Sequence, residues 1–110
     1  MENKTSMEHT SLLVLSLLST GDMYGYQMIL ELEKRSDNTF LLKEGTLYPV
    51  LKKLENAGYL KTYTEDFGGR TRKYYHITDS GTALLKKEAE AWKRYAHGID
   101  AVLGGAIMPV

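Results

Sequence analysis

Between Lys43 and Lys73 the chain gathers the side chains best suited to chemistry: Lys43, Thr46, Tyr48, Lys52 and Lys53 in one run, then Arg70, Arg72 and Lys73 after a Gly68-Gly69 pair. Ammonium, guanidinium and hydroxyl groups donate hydrogen bonds to phosphate oxygens, and from a helix they can also reach base edges in a duplex groove. Over this stretch seven positive residues stand against four acidic ones, Glu44, Glu55, Glu65 and Asp66, an excess of +3 in a chain of formal net charge +0. Where the charge sits therefore says more than its total. Each group also has a plainer reading. Lysines on a helix are commonly a solvated face, arginines on a hairpin keep its edge soluble, and Tyr48 could be a surface aromatic.

Other chemistries find no support. There is no cysteine, so disulfides, thiolate metal sites and cysteine nucleophiles are excluded, and a reducing cytoplasm is the expected location. His9, His76 and His97 lack the spacing of metal ligands, so no metal is expected. Ser80 stands in Thr78-Asp79-Ser80-Gly81-Thr82, which lacks the surroundings of a nucleophile elbow, and no glycine loop cradles phosphate. Neither enzyme activity nor a cofactor is expected. No apolar run reaches the roughly 18 residues of a membrane span, and Met1-Glu2-Asn3-Lys4 lacks the basic region of a signal peptide.

The elements that must position these groups follow from periodicity. Leu47, Val50, Leu51 and Leu54 recur at helical spacing, so the stretch 43–60 reads as a short helix running straight into a strand, with Thr46, Tyr48, Lys52 and Lys53 facing away from the core. Pro49 is tolerable if this helix starts near Gly45 or Thr46, and Gly58 is placed to stop it. Residues 59–64 and 72–78, rich in Tyr, Thr and Ile, read as a hairpin around Gly68-Gly69, with Tyr74 and Tyr75 alternating so that one of them is core.

Upstream, residues 8–19 hold an apolar set too wide for a one-faced helix. A second helix over 24–35 turns Tyr24, Met28, Leu32 and Ile29 inward, ending at the turn Ser36-Asp37-Asn38. Downstream, Thr78-Asp79-Ser80 caps a last helix from residue 79 to at least 97. Leu85, Trp92, Ile99 and Ala106 recur along it every seven residues, with Ala89, Ala96 and Leu103 nearby, a seam that asks for a second copy of the chain. The order is helix, helix, helix, hairpin, long helix. This is a mainly α (α+β) winged helix-turn-helix with dimerisation helices at both ends. Residues 1–78 form the winged part and 79–110 the carboxy-terminal helix and tail, in one structural domain.

Gly45-Thr46-Leu47-Tyr48-Pro49 with Leu51, Leu54, Glu55 and Gly58, then Gly68-Gly69-Arg70-Thr71-Arg72-Lys73-Tyr74-Tyr75-His76-Ile77-Thr78 and Gly81, resembles the PadR family of bacterial transcriptional regulators. Tyr24-Gly25-Tyr26 and Trp92 extend the resemblance over about residues 8–103. The chain resembles the short subfamily with one carboxy-terminal helix rather than the phenolic-acid repressors, which carry an extra helical domain. The resemblance implies a homodimer that represses transcription at an inverted-repeat operator in double-stranded DNA, one recognition helix per half-site. It implies that Thr46, Tyr48 and Lys52 contact bases or nearby phosphates, Lys43 and Lys53 phosphate alone, and Arg70, Arg72 and, more weakly, Lys73 the flanking DNA. In similar drug-responsive members, tryptophans of the two last helices sandwich planar aromatic compounds. By that resemblance Trp92 would be the clamp, and Glu8, Ser11, Leu12, Leu15, Ala89 and Ala96 would complete the pore. Two rival functions remain open at this point: a winged-helix protein-interaction module without DNA binding, and an aromatic-ligand-binding dimer.

Overall fold

A computed structural model describes residues 7–107, with side chains from residue 9 to residue 104. The elements run α1 (Met7–Leu18), β1 (Met23–Tyr24), α2 (Gly25–Arg35), α3 (Glu44–Asn56), β2 (Leu60–Phe67), β3 (Arg70–Ile77) and α4 (Asp79–Ile107). The strands form one antiparallel sheet in the order β1-β3-β2. This is the expected winged helix-turn-helix, with one strand more than the sequence suggests. Two residues are too short to show a period, and Tyr24 reads as the start of α2 until the pairing of Met23 and Tyr24 with Tyr75 and Tyr74 is seen.

The core lies where α1, α2 and α3 meet the sheet. Val14, Leu15, Leu17 and Leu18 of α1, Met28 and Leu32 of α2, and Leu47, Val50, Leu51 and Leu54 of α3 are all buried, with Leu60 and Tyr75 from the wing. Each such side chain contributes roughly 1.5–3 kcal/mol by leaving water. Tyr75 is the core tyrosine of the alternating pair, and Tyr74 takes the outer face. Burial, with Glu55 nearby, raises the Tyr75 phenol pKa.

Helix ends follow local chemistry. Asp37 and Asn38 adopt left-handed backbone (φ 52° and 65°), and the Asn38 amide donates to the Glu33 carbonyl at 2.8 Å, closing α2. Helix α3 begins at Glu44, slightly earlier than expected, because the Lys43 carbonyl already accepts from the Leu47 amide at 2.9 Å. Pro49 therefore falls in the second turn, where it leaves the Gly45 carbonyl without its helical donor.

The wing strands are longer than expected. Glu65, Asp66 and Phe67 continue β2 and pair with Arg72, Thr71 and Arg70, so the connection shrinks to Gly68-Gly69. Both glycines carry positive φ (51° and 86°), the geometry of a tight two-residue hairpin turn.

Thr78 joins the wing to α4. Its hydroxyl accepts from the Gly81 amide at 3.1 Å, capping the helix, and donates to the Gly58 carbonyl at 2.8 Å. Ser80 donates to the same carbonyl at 3.1 Å. The start of α4 is thus bonded to the glycine just past the end of α3. At 29 residues α4 is about 44 Å long, within a molecule whose longest extent is 60 Å. Leu84 and Leu85 pack on the core, whereas Tyr95 (61% exposed) and Val102 (76%) do not. Ala106, the last member of the expected seam, has its side chain outside the described residues.

Candidate nucleic-acid interface

Helix α3 divides by its period. Successive residues turn by about 100°, so with Leu47, Val50, Leu51 and Leu54 inward the outward line runs through Gly45, Pro49, Lys52 and Asn56. Tyr48 lies on the flank with Lys52, and Thr46 on the other with Lys53. Lys52, Lys53 and Lys43, the residue just before the helix, are exposed, and Thr46 is half-buried. No ion pair among the described residues involves these lysines or Arg70. Their charge is available to an external anion.

The wing splits its cations between two faces, as strand alternation requires. Arg72 shares the outer face with Tyr74, and its guanidinium lies 4.5 Å from the Tyr24 ring centroid and 5.4 Å from that of Phe67. Such stacking holds a long side chain in place while leaving its edge free to donate. Arg70 sits at the exposed tip, paired across the ladder with Phe67. Lys73 turns to the inner face, where its amine is 3.9 Å from Glu55 and 5.5 Å from the Tyr75 centroid.

Asp22, in the link before β1, fixes the same outer face. Its carboxylate accepts from the Tyr63 hydroxyl at 2.7 Å and lies 2.8 Å from His76 Nδ1, tying both wing strands to the body. Burial works to raise the Asp22 pKa, but the Tyr63 and His76 bonds outweigh it and hold the group below its ordinary value. The same bond, above all, pushes Tyr63 up to about 12.

Helix and wing meet at Tyr48. Its ring lies against the start of α2 and lines a recess of about 190 Å³ with Tyr24, Gly25, Tyr26, Arg72 and Lys73. Desolvation, then Glu44 and Tyr75, raises its phenol pKa, so the hydroxyl remains a donor at neutral pH. Sequence reasoning missed Gly25. The signal was a glycine between two tyrosines, whose meaning depends on a contact made across 23 residues of chain.

The residues expected around a ligand separate. Trp92 (43% exposed) and Leu12 line a surface recess of about 470 Å³ with His9, Lys87, Glu88 and Tyr95. The His9 and Tyr95 rings stand 5.4 and 5.5 Å from the Trp92 ring. Leu15 does not belong there. It is 0% exposed, because α1 is wedged among α2, α3, β3 and α4 and that side of it is filled by the core. Ser11 is half-buried outside the recess, and the Glu8 side chain lies outside the described residues. Ala89 and Ala96 are half-buried on the opposite flank of Trp92 from the one the recess uses, which carries Glu88, Ala91 and Tyr95. Among the described residues no cluster of three or more His, Cys, Asp or Glu could hold a metal, and no helix is long and apolar enough to cross a membrane.

The family model of the transcriptional regulator PadR-like family matches residues 14–87. Among solved structures, the smu.1704 protein of Streptococcus mutans UA159 is 41% identical, with a TM-score of 0.80 and 100% of both chains covered. A PadR family transcription regulator from Clostridium difficile R20291 is 32% identical, with a TM-score of 0.77, over 87% of this chain and 99% of that one. The negative transcriptional regulator PadR of Bacillus subtilis is 31% identical over 80 residues, 72% of this chain but 42% of that protein. The Clostridium difficile and Bacillus subtilis proteins are regulators of transcription, not enzymes. A helix that exposes Lys52 and Lys53, an adjoining wing and a family match over both together place this chain: it belongs to the PadR-like family of transcriptional regulators.

Proposed function

We propose that the protein is a homodimeric, cytoplasmic, sequence-specific DNA-binding repressor that occupies an inverted-repeat operator and is released by a planar aromatic small molecule. The observation that carries the DNA reading is the shared recess of Tyr48, Arg72 and Lys73, which sets the flank of α3 and the wing toward the same partner. Thr46 and Lys52 read bases or adjacent phosphates from the major groove, Tyr48 donates beside them, and Lys43 and Lys53 hold phosphate. Arg70 and Arg72 engage flanking DNA, with Lys73 a weaker contact because Glu55 competes for it.

Dimerisation is supported by the exposed apolar residues of α4, Tyr95, Ile99, Val102 and Leu103, which a second copy would cover. The repressive sign is supported by the likeness to the Bacillus subtilis negative regulator. The half-exposed Trp92 beside Leu12 supports an aromatic effector, since an indole face offers a stacking platform. Titrating the protein against the duplex upstream of its own gene, with an unrelated duplex as control, tests the reading. Selective binding that weakens with salt is expected, and equal binding to both duplexes, or none, would reject it.

A further inference from the structure

Tyr48 does not point straight out from α3. The hydroxyl end of its ring rests on the first residue of α2, so closely that a Cβ on Gly25 would stand 2.5 Å from the hydroxyl oxygen, 2.9 Å from Cε1 and 3.0 Å from Cζ. Cβ atoms in proteins do not approach that near, so any larger residue at Gly25 must displace this ring. The backbone of Gly25 does not require glycine, since it lies in ordinary helical geometry as the first residue of α2. Close approach of Tyr48 is therefore what the glycine serves.

The approach has a directional consequence. A ring laid back on α2 leaves the outward line of Gly45, Pro49 and Lys52, where base edges would be met, and sends its hydroxyl into the recess beside Arg72 and Lys73. Arg72 borders that recess and takes part in no ion pair among the described residues, whereas Lys73 stands 3.9 Å from Glu55, and the start of α2 adds the favourable end of its dipole. A neutral donor beside the Arg72 guanidinium suits an anionic oxygen better than a base edge.

We propose that Gly25 is a positioning residue for DNA binding: by lacking a Cβ it seats Tyr48 so that the hydroxyl donates to a backbone phosphate and carries no base preference. The inference rests on the DNA-binding reading and specifies what one of its residues does.

The test is a double-mutant cycle on the full-length protein, using a duplex that the wild type enriches from a random-sequence pool. Gly25→Ala should fold, because alanine suits a first helical position and the three nearest obstacles are all atoms at the end of a half-exposed ring (43%) that can swing outward. Its thermal midpoint should match or exceed that of the wild type. Gly25→Ala and Tyr48→Phe should each weaken binding on the order of tenfold, the loss of a charge-assisted hydrogen bond. Combined, they should weaken it little more than Tyr48→Phe alone. The loss should be the same for single-base variants of the duplex, since a phosphate contact carries no sequence information. Additive losses, undiminished binding by Gly25→Ala, or a loss that varies with base identity would each overturn the inference while leaving the DNA-binding reading intact. Failure of the wild type to enrich any duplex would overturn both.

Discussion

Replacing Lys52 and Arg70 by alanine removes two cations from each protomer and four from a dimer. Neither side chain takes part in an ion pair among the described residues, so no protein carboxylate is stranded by the change. Both are exposed, and substitutions at such sites shift stability by about 0.5 kcal/mol or less. The effect should therefore fall on binding. Each phosphate contact contributes about 0.9 to the slope of log affinity against log salt, so four lost contacts lower the slope by about 3.6. Over a fourfold rise in salt the wild type should lose about 150-fold more affinity than the variant. Fluorescence anisotropy with a labelled duplex at four or five salt concentrations reads this directly, with thermal unfolding as the control for folding. An unchanged slope in a normally folded variant would refute the assignment of Lys52 and Arg70 to phosphate, whatever the drop at a single salt concentration.

Three further outcomes follow from the packing and the ties. Leu51→Ala, at a fully buried position under the recognition helix, should cost about 2–5 kcal/mol in denaturant unfolding; a cost below about 1 kcal/mol would mean that α3 is not anchored as described. Thr78→Ala removes both the α4 cap and the bond to the Gly58 carbonyl and should cost about 1–2 kcal/mol, whereas Thr78→Ser, which keeps the hydroxyl, should recover most of it. The raised Tyr63 pKa means that its tie to Asp22 is intact below the ordinary phenol range, near 10, and is lost as pH rises through about 12. Absorbance titration should show, besides the raised Tyr48 and Tyr75 phenols, one near 12 that moves back toward 10 in Asp22→Asn, and an unshifted titration would contradict the bond. The depressed Asp22 pKa works in the other direction: its contribution is complete above the ordinary carboxyl value and lost as pH falls through the lower folded value.

Helix α3 was legible because its apolar residues keep strict helical spacing, and strand alternation showed that one of Tyr74 and Tyr75 is core without saying which. The length of the wing was not. Glu65 and Asp66 are poor strand formers, held in the ladder only by pairing with Arg72 and Thr71. Helix period alone could not say which side of α1 the core would take, so Leu15 was read as lining a pore when α3 and its neighbours enclose it. The same blindness hid the flank of Trp92 on which the recess opens. Gly25 shows the limit most plainly, since its contact with Tyr48 joins two helices and leaves no periodic trace in either. Three links, namely the Gly25 contact, the Asp22 tie and the Thr78 bridge, place the cations of α3 and the wing, and each spans residues far apart in the chain or on different elements.

The most direct test of the central claim is selection of duplexes by the wild-type protein from a random-sequence pool, followed by hydroxyl-radical footprinting of the winner. A twofold-symmetric sequence should emerge, with two protected half-sites whose centres lie about one helical turn, or a multiple of it, apart on the DNA. A pool that remains random after repeated rounds would contradict the account, as would an enriched sequence without twofold symmetry.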